Sequence, residues 1–460
     1  MINVTLKIIL FAVTATVCFS QTVLDEYVRA GLESNLALRQ HSISYDQSVA
    51  ALHEAGGLFL PSVTMSSRYS RADGGRSLEV PIGDLMNPVY ETLNEILTWG
   101  GYDPKFPSNL ENESYPILPE EEQETKLRVI QPIFKPEILF NYRIKSGMRE
   151  ISDAERAMYA RELAMEIRTA YFHYIQAIGA VDICEEYLEL TGENLRVSRS
   201  LFDNGKVTED AVFRAEARIA QLQGETTSAR KDSTMAAAYF NFLLNREHNA
   251  KITVESMSYP HETYKLAAAE SIAIANREEL QAMESGLSVA TNYARFAKSA
   301  FLPGLVGVFD YGFQGEEYDF DSEHDFWMAS LILEWELFSG GQDWFAARSA
   351  NLEYTKVELS LEELRAKILL QVRDAFEVLS VAKIRAEAAK DEVRAARESF
   401  GIIEKKYSLG MIGQIEYMEA QTYLSEAETR ALIAEYDRKA AAVRLTRIIA
   451  ADDISAYFEE

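Results

Sequence analysis

Six histidines (His41, His53, His173, His248, His261 and His324) are the side chains best suited to bind a metal or relay a proton. They are scattered, and none is paired at metal-ligand spacing. No HExxH or GxSxG occurs, and Gly205-Lys206 lacks the upstream glycine and the hydroxyl partner of a phosphate loop. No catalysis, metal, nucleotide or redox cofactor is expected. Carboxylates are what the chain concentrates. Glu120-Glu121-Glu122 form one run, and Glu316, Glu317, Asp319, Asp321, Glu323 and Asp325 form another. The formal net charge is −26, which excludes nucleic acid as the partner, because phosphate backbones demand clustered Lys and Arg. Solubility alone accounts for such a charge, as does a polyanionic wall around a pore.

These residues must be positioned by elements made twice. Phe59-Leu60-Pro61 returns as Phe301-Leu302-Pro303, an offset of 242. In a second register, offset by 205, Ala170-Tyr171 pairs with Ala375-Phe376, Phe202 with Tyr407, and Gly205 with Gly410. Each half (21–262 and 263–460) reads as one unit. A helix spans 22–58 (263–300), and a strand lies near 61–71 (303–314). After a loop, a second strand lies near 126–134 (326–338). A helix of about 65 residues follows over 137–202 (342–407), then a glycine turn and a last helix near 208–246 (413–450). In the second long helix Leu361, Leu364, Ile368, Val372, Ala375, Leu379 and Ala382 step by three or four, the heptad signature. At 1.5 Å per residue each long helix reaches roughly 100 Å, more than a globular domain needs. The first inter-strand loop, 73–125, is long and carries Pro81, Pro88, Pro104, Pro107, Pro116 and Pro119. The second, near 315–325, is short and acidic.

Residues 1–20 read as an export signal: Lys7, then an apolar run from Ile8 to Val17 too short to span a bilayer, then small residues before Gln21. Past it only Cys184 is left, so no internal disulfide is expected. No later stretch has ~20 consecutive apolar residues, so membrane entry would require a β-barrel. The strands alternate accordingly. Val63, Met65 and Tyr69 oppose Ser62, Thr64, Ser66 and Arg68, while Trp327, Ala329, Leu331, Leu333, Trp335 and Leu337 oppose Ser330, Glu334 and Glu336. Trp327 and Trp335 are candidates for an aromatic belt, or for plain core packing. Four strands cannot close a membrane barrel, which takes at least about eight, so several chains must pool theirs; three would supply twelve.

The duplicated Phe-Leu-Pro entries, the long helices and two matched tips resemble the TolC family of outer-membrane factors. The tips are Leu201-Phe202-Asp203-Asn204-Gly205-Lys206-Val207 and Lys406-Tyr407-Ser408-Leu409-Gly410-Met411-Ile412. The resemblance covers nearly the whole chain after residue 20. It implies a mostly α fold with a membrane β-barrel portion, assembled as a homotrimeric channel-tunnel with a twelve-stranded barrel in outer-membrane lipid. It implies a passive exit duct of a tripartite efflux or type I secretion system in a Gram-negative bacterium. The periplasmic end, near 405–416, would dock an adaptor and an inner-membrane transporter through Asn204, Gly205, Lys206, Leu409, Gly410 and Met411. The family lines its constriction with acidic rings, usually Asp; the matching positions are Glu416 and Glu419, three apart and so on one helix face. A solvated face explains the same pair. Tyr407 occupies the position of a latch tyrosine, but the family's arginine partner falls on Ile412, which cannot form a charged bond. Two other readings stay open: an exported coiled-coil scaffold without a pore, and a surface-binding protein for which the barrel is an anchor. The cargo is not legible.

Overall fold

A computed structural model describes residues 22–255 and 264–452. The export signal, Pro260 and His261 lie outside them. The chain divides into two units: Met1–Val49, Gly147–Val289 and Glu353–Glu460 in one, Ala50–Ser146 and Ala290–Leu352 in the other.

The expected single helix at the start of each half is broken in two. In the first half α1 (Val23–Ser34) and α2 (Leu36–Gly57) part at Asn35, whose backbone is extended. Its N–H closes α1 on the Gly31 carbonyl, and its Oδ1 accepts from the N–H groups of Ala37 and Leu38 to open α2. In the second half, which opens with α6 (Leu266–Asn276) and α7 (Glu278–Ser299), the break falls at Arg277, the same place in the offset of 242. Arg277 forms a two-pronged contact with Glu279 (2.6 and 3.0 Å) and donates to Gln371. Neither break needs Pro or Gly, so residue type alone conceals both.

The long helices are α4 (Pro136–Asp203) and α8 (Gln342–Ser408), returning as α5 (Glu209–Leu243) and α9 (Gln414–Ile449). In the first unit the heptad positions of α8 are buried: Ile368, Val372, Ala375 and Ala382 pack with Leu280, Leu445 and Ile449. Ile167, Tyr171, Leu24 and Phe240 form a second core, and Tyr187, Leu222, Phe400 and Leu424 a third. Close approach depends on small residues: a Cβ added to Gly179 would stand 2.9 Å from Leu432. Arg161 and Glu278 are both buried and pair at 2.6 Å, and Arg161 also holds the Asp452 carbonyl. Cutting such a pair strands a charge, at a cost of about 3–5 kcal/mol.

The second unit is built on one antiparallel sheet in the order β1-β4-β5-β6. β1 is Ser62–Arg71, β4 Glu121–Phe134, β5 Gly304–Gly315 and β6 Asp325–Glu334. β4 thus starts five residues before the expected 126, because Glu121 and Glu122 pair with Arg71 and Ser70 instead of lying in the loop. β6 ends at Glu334, so Trp335 and Leu337 lie beyond it. The long first loop is itself folded. It holds a ladder of β2 (Ser77–Val80) with β3 (Glu113–Pro116), and helix α3 (Ile82–Trp99). Pro88 reads as a breaker but sits inside α3.

Candidate functional site: strand faces and helical tips

Register decides which side chains share a sheet face. Val63, Val129, Phe309 and Ala329 lie side by side across the four strands, as do Met65, Leu127, Tyr311 and Trp327. With Leu331 and Leu333 they make one continuous apolar face, and little within the chain covers it. Met65 is 72% exposed, Trp327 70% and Leu331 67%. The opposite face carries Thr64, Arg128 and Asp310 on one row and Arg68, Glu124 and Gln314 on another. There Arg128 grips Asp310 with two bonds of 2.7 and 2.8 Å, and Lys126 meets Glu124 at 2.6 Å.

Aromatic rings gather at both ends of the apolar face. Tyr69, Tyr311, Phe313 and Trp327 stand at the loop end, where Tyr69 stacks on Tyr318. At the other end the Phe-Leu-Pro segments leave their helices through matching turns, Phe59 N–H to Gly56 O and Phe301 N–H to Lys298 O. Trp335, 56% exposed, donates its indole N–H to the Phe301 carbonyl. Each strand of the four-stranded sheet is 10 to 14 residues long, enough for one bilayer crossing, which takes about 9–11. No described helix is long and apolar enough to cross a membrane.

The tips of the first unit are built alike. Gly205 N–H bonds to Phe202 O and Lys206 N–H to Leu201 O; Gly410 N–H bonds to Tyr407 O and Met411 N–H to Lys406 O. Both glycines take the left-handed φ this cap requires, +67° and +68°. The six expected docking residues are all exposed on these turns, Leu409 at 74% and Met411 at 68%. Thr208 holds the N-cap position of α5, yet its hydroxyl binds the Asp210 side chain and caps no backbone N–H.

Glu416 and Glu419 are exposed, but they do not act as twins. Glu416 accepts from the Gly413 N–H at 2.8 Å and so closes the start of α9. Tyr407 stacks on Tyr417 at 4.7 Å, and burial, with the Glu404 charge nearby, pushes the Tyr417 hydroxyl up to about 12. A ring contact therefore holds Tyr407 within the chain.

A buried polar seam beside the tips escaped the sequence reading. Gln414 donates to Asn194 Oδ1, Ser198 Oγ and the Ala211 carbonyl, each at 3.0 Å, and Gln421 donates to Thr191 at 3.2 Å. Its signal was present: residues 191, 194 and 198 step by three and four, and 414 and 421 by seven, so polar residues replace apolar ones in the heptad seam. Higher up, Glu428 of α9 ties two helices, accepting from Tyr187 of α4 (3.0 Å) and Arg397 of α8 (2.6 Å). No cluster of metal-ligating side chains occurs among the described residues.

Residues 270–451 match the family model for outer membrane efflux proteins. The alkaline protease secretion protein AprF of Pseudomonas aeruginosa is 23% identical over 69% of this chain and 68% of its own length. The outer membrane protein TolC of Escherichia coli is 20% identical over 91% of this chain and 80% of its own. The chain is similar to proteins of the outer membrane efflux family. Its fold is shared with the outer-membrane channel OprN, at a TM-score of 0.77 and 17% identity over 94% of this chain and 90% of that one. The family is one of channel proteins. This chain is an outer-membrane exit duct for efflux or secretion that reaches into the periplasm of a Gram-negative cell. The uncovered apolar sheet face is what a duct requires and a pore-free scaffold does not.

Proposed function

We propose that three copies of this chain close a twelve-stranded barrel in outer-membrane lipid, and that the tips dock a periplasmic adaptor and an inner-membrane transporter. The sheet carries this reading. It has two edges, β1 and β6, with no strand beyond them among the described residues. Its apolar face is contiguous. Unpaired backbone N–H and C=O groups cost several kcal/mol each in hydrocarbon, so both edges must meet another copy. Trp327 and Trp335 stand with the two aromatic groups and act as the belt at either interface. Asn204, Gly205 and Lys206 with Leu409, Gly410 and Met411 offer two equivalent knobs to the adaptor.

In the trimer Glu416, Glu419 and Tyr407 form the periplasmic gate, with six carboxylates crowded around one axis. Glu419 is the freer of the acids, because Glu416 also caps its helix. The test is block by multivalent cations in planar-bilayer conductance. Glu416→Gln with Glu419→Gln weakens the block; an unchanged block rejects the acidic ring. Transport energy comes from the partner transporter.

A further inference from the structure

The insertion between β1 and β4 is built rather than loose. The strand ladder continues through Ala72 N–H to Glu120 O (2.8 Å) and Ile117 N–H to Arg76 O (2.9 Å) into β2 and β3. This stalk carries α3, which asparagines clamp to the returning segment 101–112. Asn87 donates to the Leu110 carbonyl and accepts from its N–H (2.9 and 2.8 Å). Asn94 does the same with Phe106 (2.8 and 3.0 Å). Tyr90 stacks on Phe106, and a Cβ on Gly83 would come within 2.1 Å of the Leu110 carbonyl oxygen.

At about 100° per residue, the clamped positions 83, 87, 90 and 94 share one side of α3. Roughly opposite stand Leu85, Val89, Ile96 and Trp99, exposed at 66, 49, 59 and 93%. Asp84, Glu91 and Glu95 line up between the two sides. The stripe is therefore an apolar face presented outward by a rigid mount. A helix lying in lipid headgroups carries Lys and Arg on its polar flank. Here Lys105 is the only basic residue between Arg76 and Lys126, and every other charge there is acidic. Lipid is thus a poor cover. A second copy is a better one, because the stalk prolongs β1, the open edge at which a neighbouring copy pairs. Cyclic symmetry then repeats the stripe around one mouth.

We propose that the α3 stripes of neighbouring copies pack against each other and cap the outer mouth of the duct. This rests on the trimer reading above. Thr92 lies exposed within the stripe sector, so Thr92→Cys in a Cys184→Ser background gives a mild probe in the full chain. In outer membranes a short bis-maleimide should join copies through residue 92. Adding Leu85→Ser and Ile96→Ser should lower the yield at least about tenfold, the ratio one buried apolar side chain is worth. Absence of adducts, while glutaraldehyde still captures the trimer, overturns the cap and leaves the duct intact. Loss of the glutaraldehyde trimer removes the assembly itself, and the cap with it. Quenching of Trp99 by brominated lipid would place the stripe in the bilayer and also overturn the proposal.

Discussion

Leu331→Arg separates a lipid-facing sheet from a solvated one. Leu331 is 67% exposed in the single chain, so in water an arginine there would change stability by no more than about 0.5 kcal/mol. In lipid the outcome differs. Leu331 lies within about two residues of the midpoint of β6, flanked on its face by Ala329 and Leu333 and opposed by Gly307. The nearest acid in its strand on that face is Asp325, six residues away. The guanidinium would have no partner within reach and would sit close to the bilayer midplane, where arginine costs about 2–4 kcal/mol. A destabilisation of about 2–3 kcal/mol follows, or a loss of roughly thirty- to more than a hundredfold in the folded ratio. Ser330→Arg, on the polar face, should cost less than about 1 kcal/mol, because lumen positions tolerate charge. Urea titration of protein reconstituted in phospholipid vesicles, followed by tryptophan emission, measures both. Equal midpoints for the two variants would refute a lipid-facing apolar side.

Three further outcomes follow from the tips and the outer loop. Gln414→Ala removes the bonds to Asn194, Ser198 and the Ala211 carbonyl and leaves Asn194 Oδ1 with the Ser198 hydroxyl at 3.4 Å, a loss of about 1–3 kcal/mol, so tip amides should exchange with deuterium about 5- to 150-fold faster while those of the Ile368 core do not change. Gly410→Ala meets no atom within 4 Å, yet its left-handed φ should cost about 1–2 kcal/mol, read as a lower thermal midpoint. The His324–Asp321 clasp (2.7 Å) should respond to pH on two sides. Its bond to Asp321 raises the His324 pKa above 6.5, so the imidazolium's share is complete below 6.5 and is lost as pH rises through the raised value. The Asp321 carboxyl is held below 3.8 and loses its share only as pH falls through that lowered value. Histidine NMR shifts check the upper limb, and an unshifted His324 titration would contradict it.

Much of this fold is legible in the sequence because it is written twice. Helix ends, tip glycines and strand entries reappear at two offsets, and alternation assigns the sheet faces down to Leu333. The duplication extends to places where residue type is silent: Asn245 and Ala450 share the offset of 205 and the same left-handed φ of 51°. What escaped was set by context. Asn35 and Arg277 break helices without Gly or Pro, through their own side-chain contacts. α3 was hidden by Pro88, and its clamp depends on asparagines meeting a segment about 12 to 23 residues away. Glu416 looked like half of a ring until its bond to Gly413 N–H gave it a second task, which the Gly-x-x-Glu spacing could have suggested.

The central claim is a membrane sheet with one face toward lipid and the other toward water. Single cysteines along β1, placed one at a time in a Cys184→Ser background and probed in intact outer membranes with a water-soluble maleimide, test it directly. The account predicts labelling at 62, 64, 66 and 68 and protection at 63, 65 and 69. Uniform labelling along the strand would contradict it.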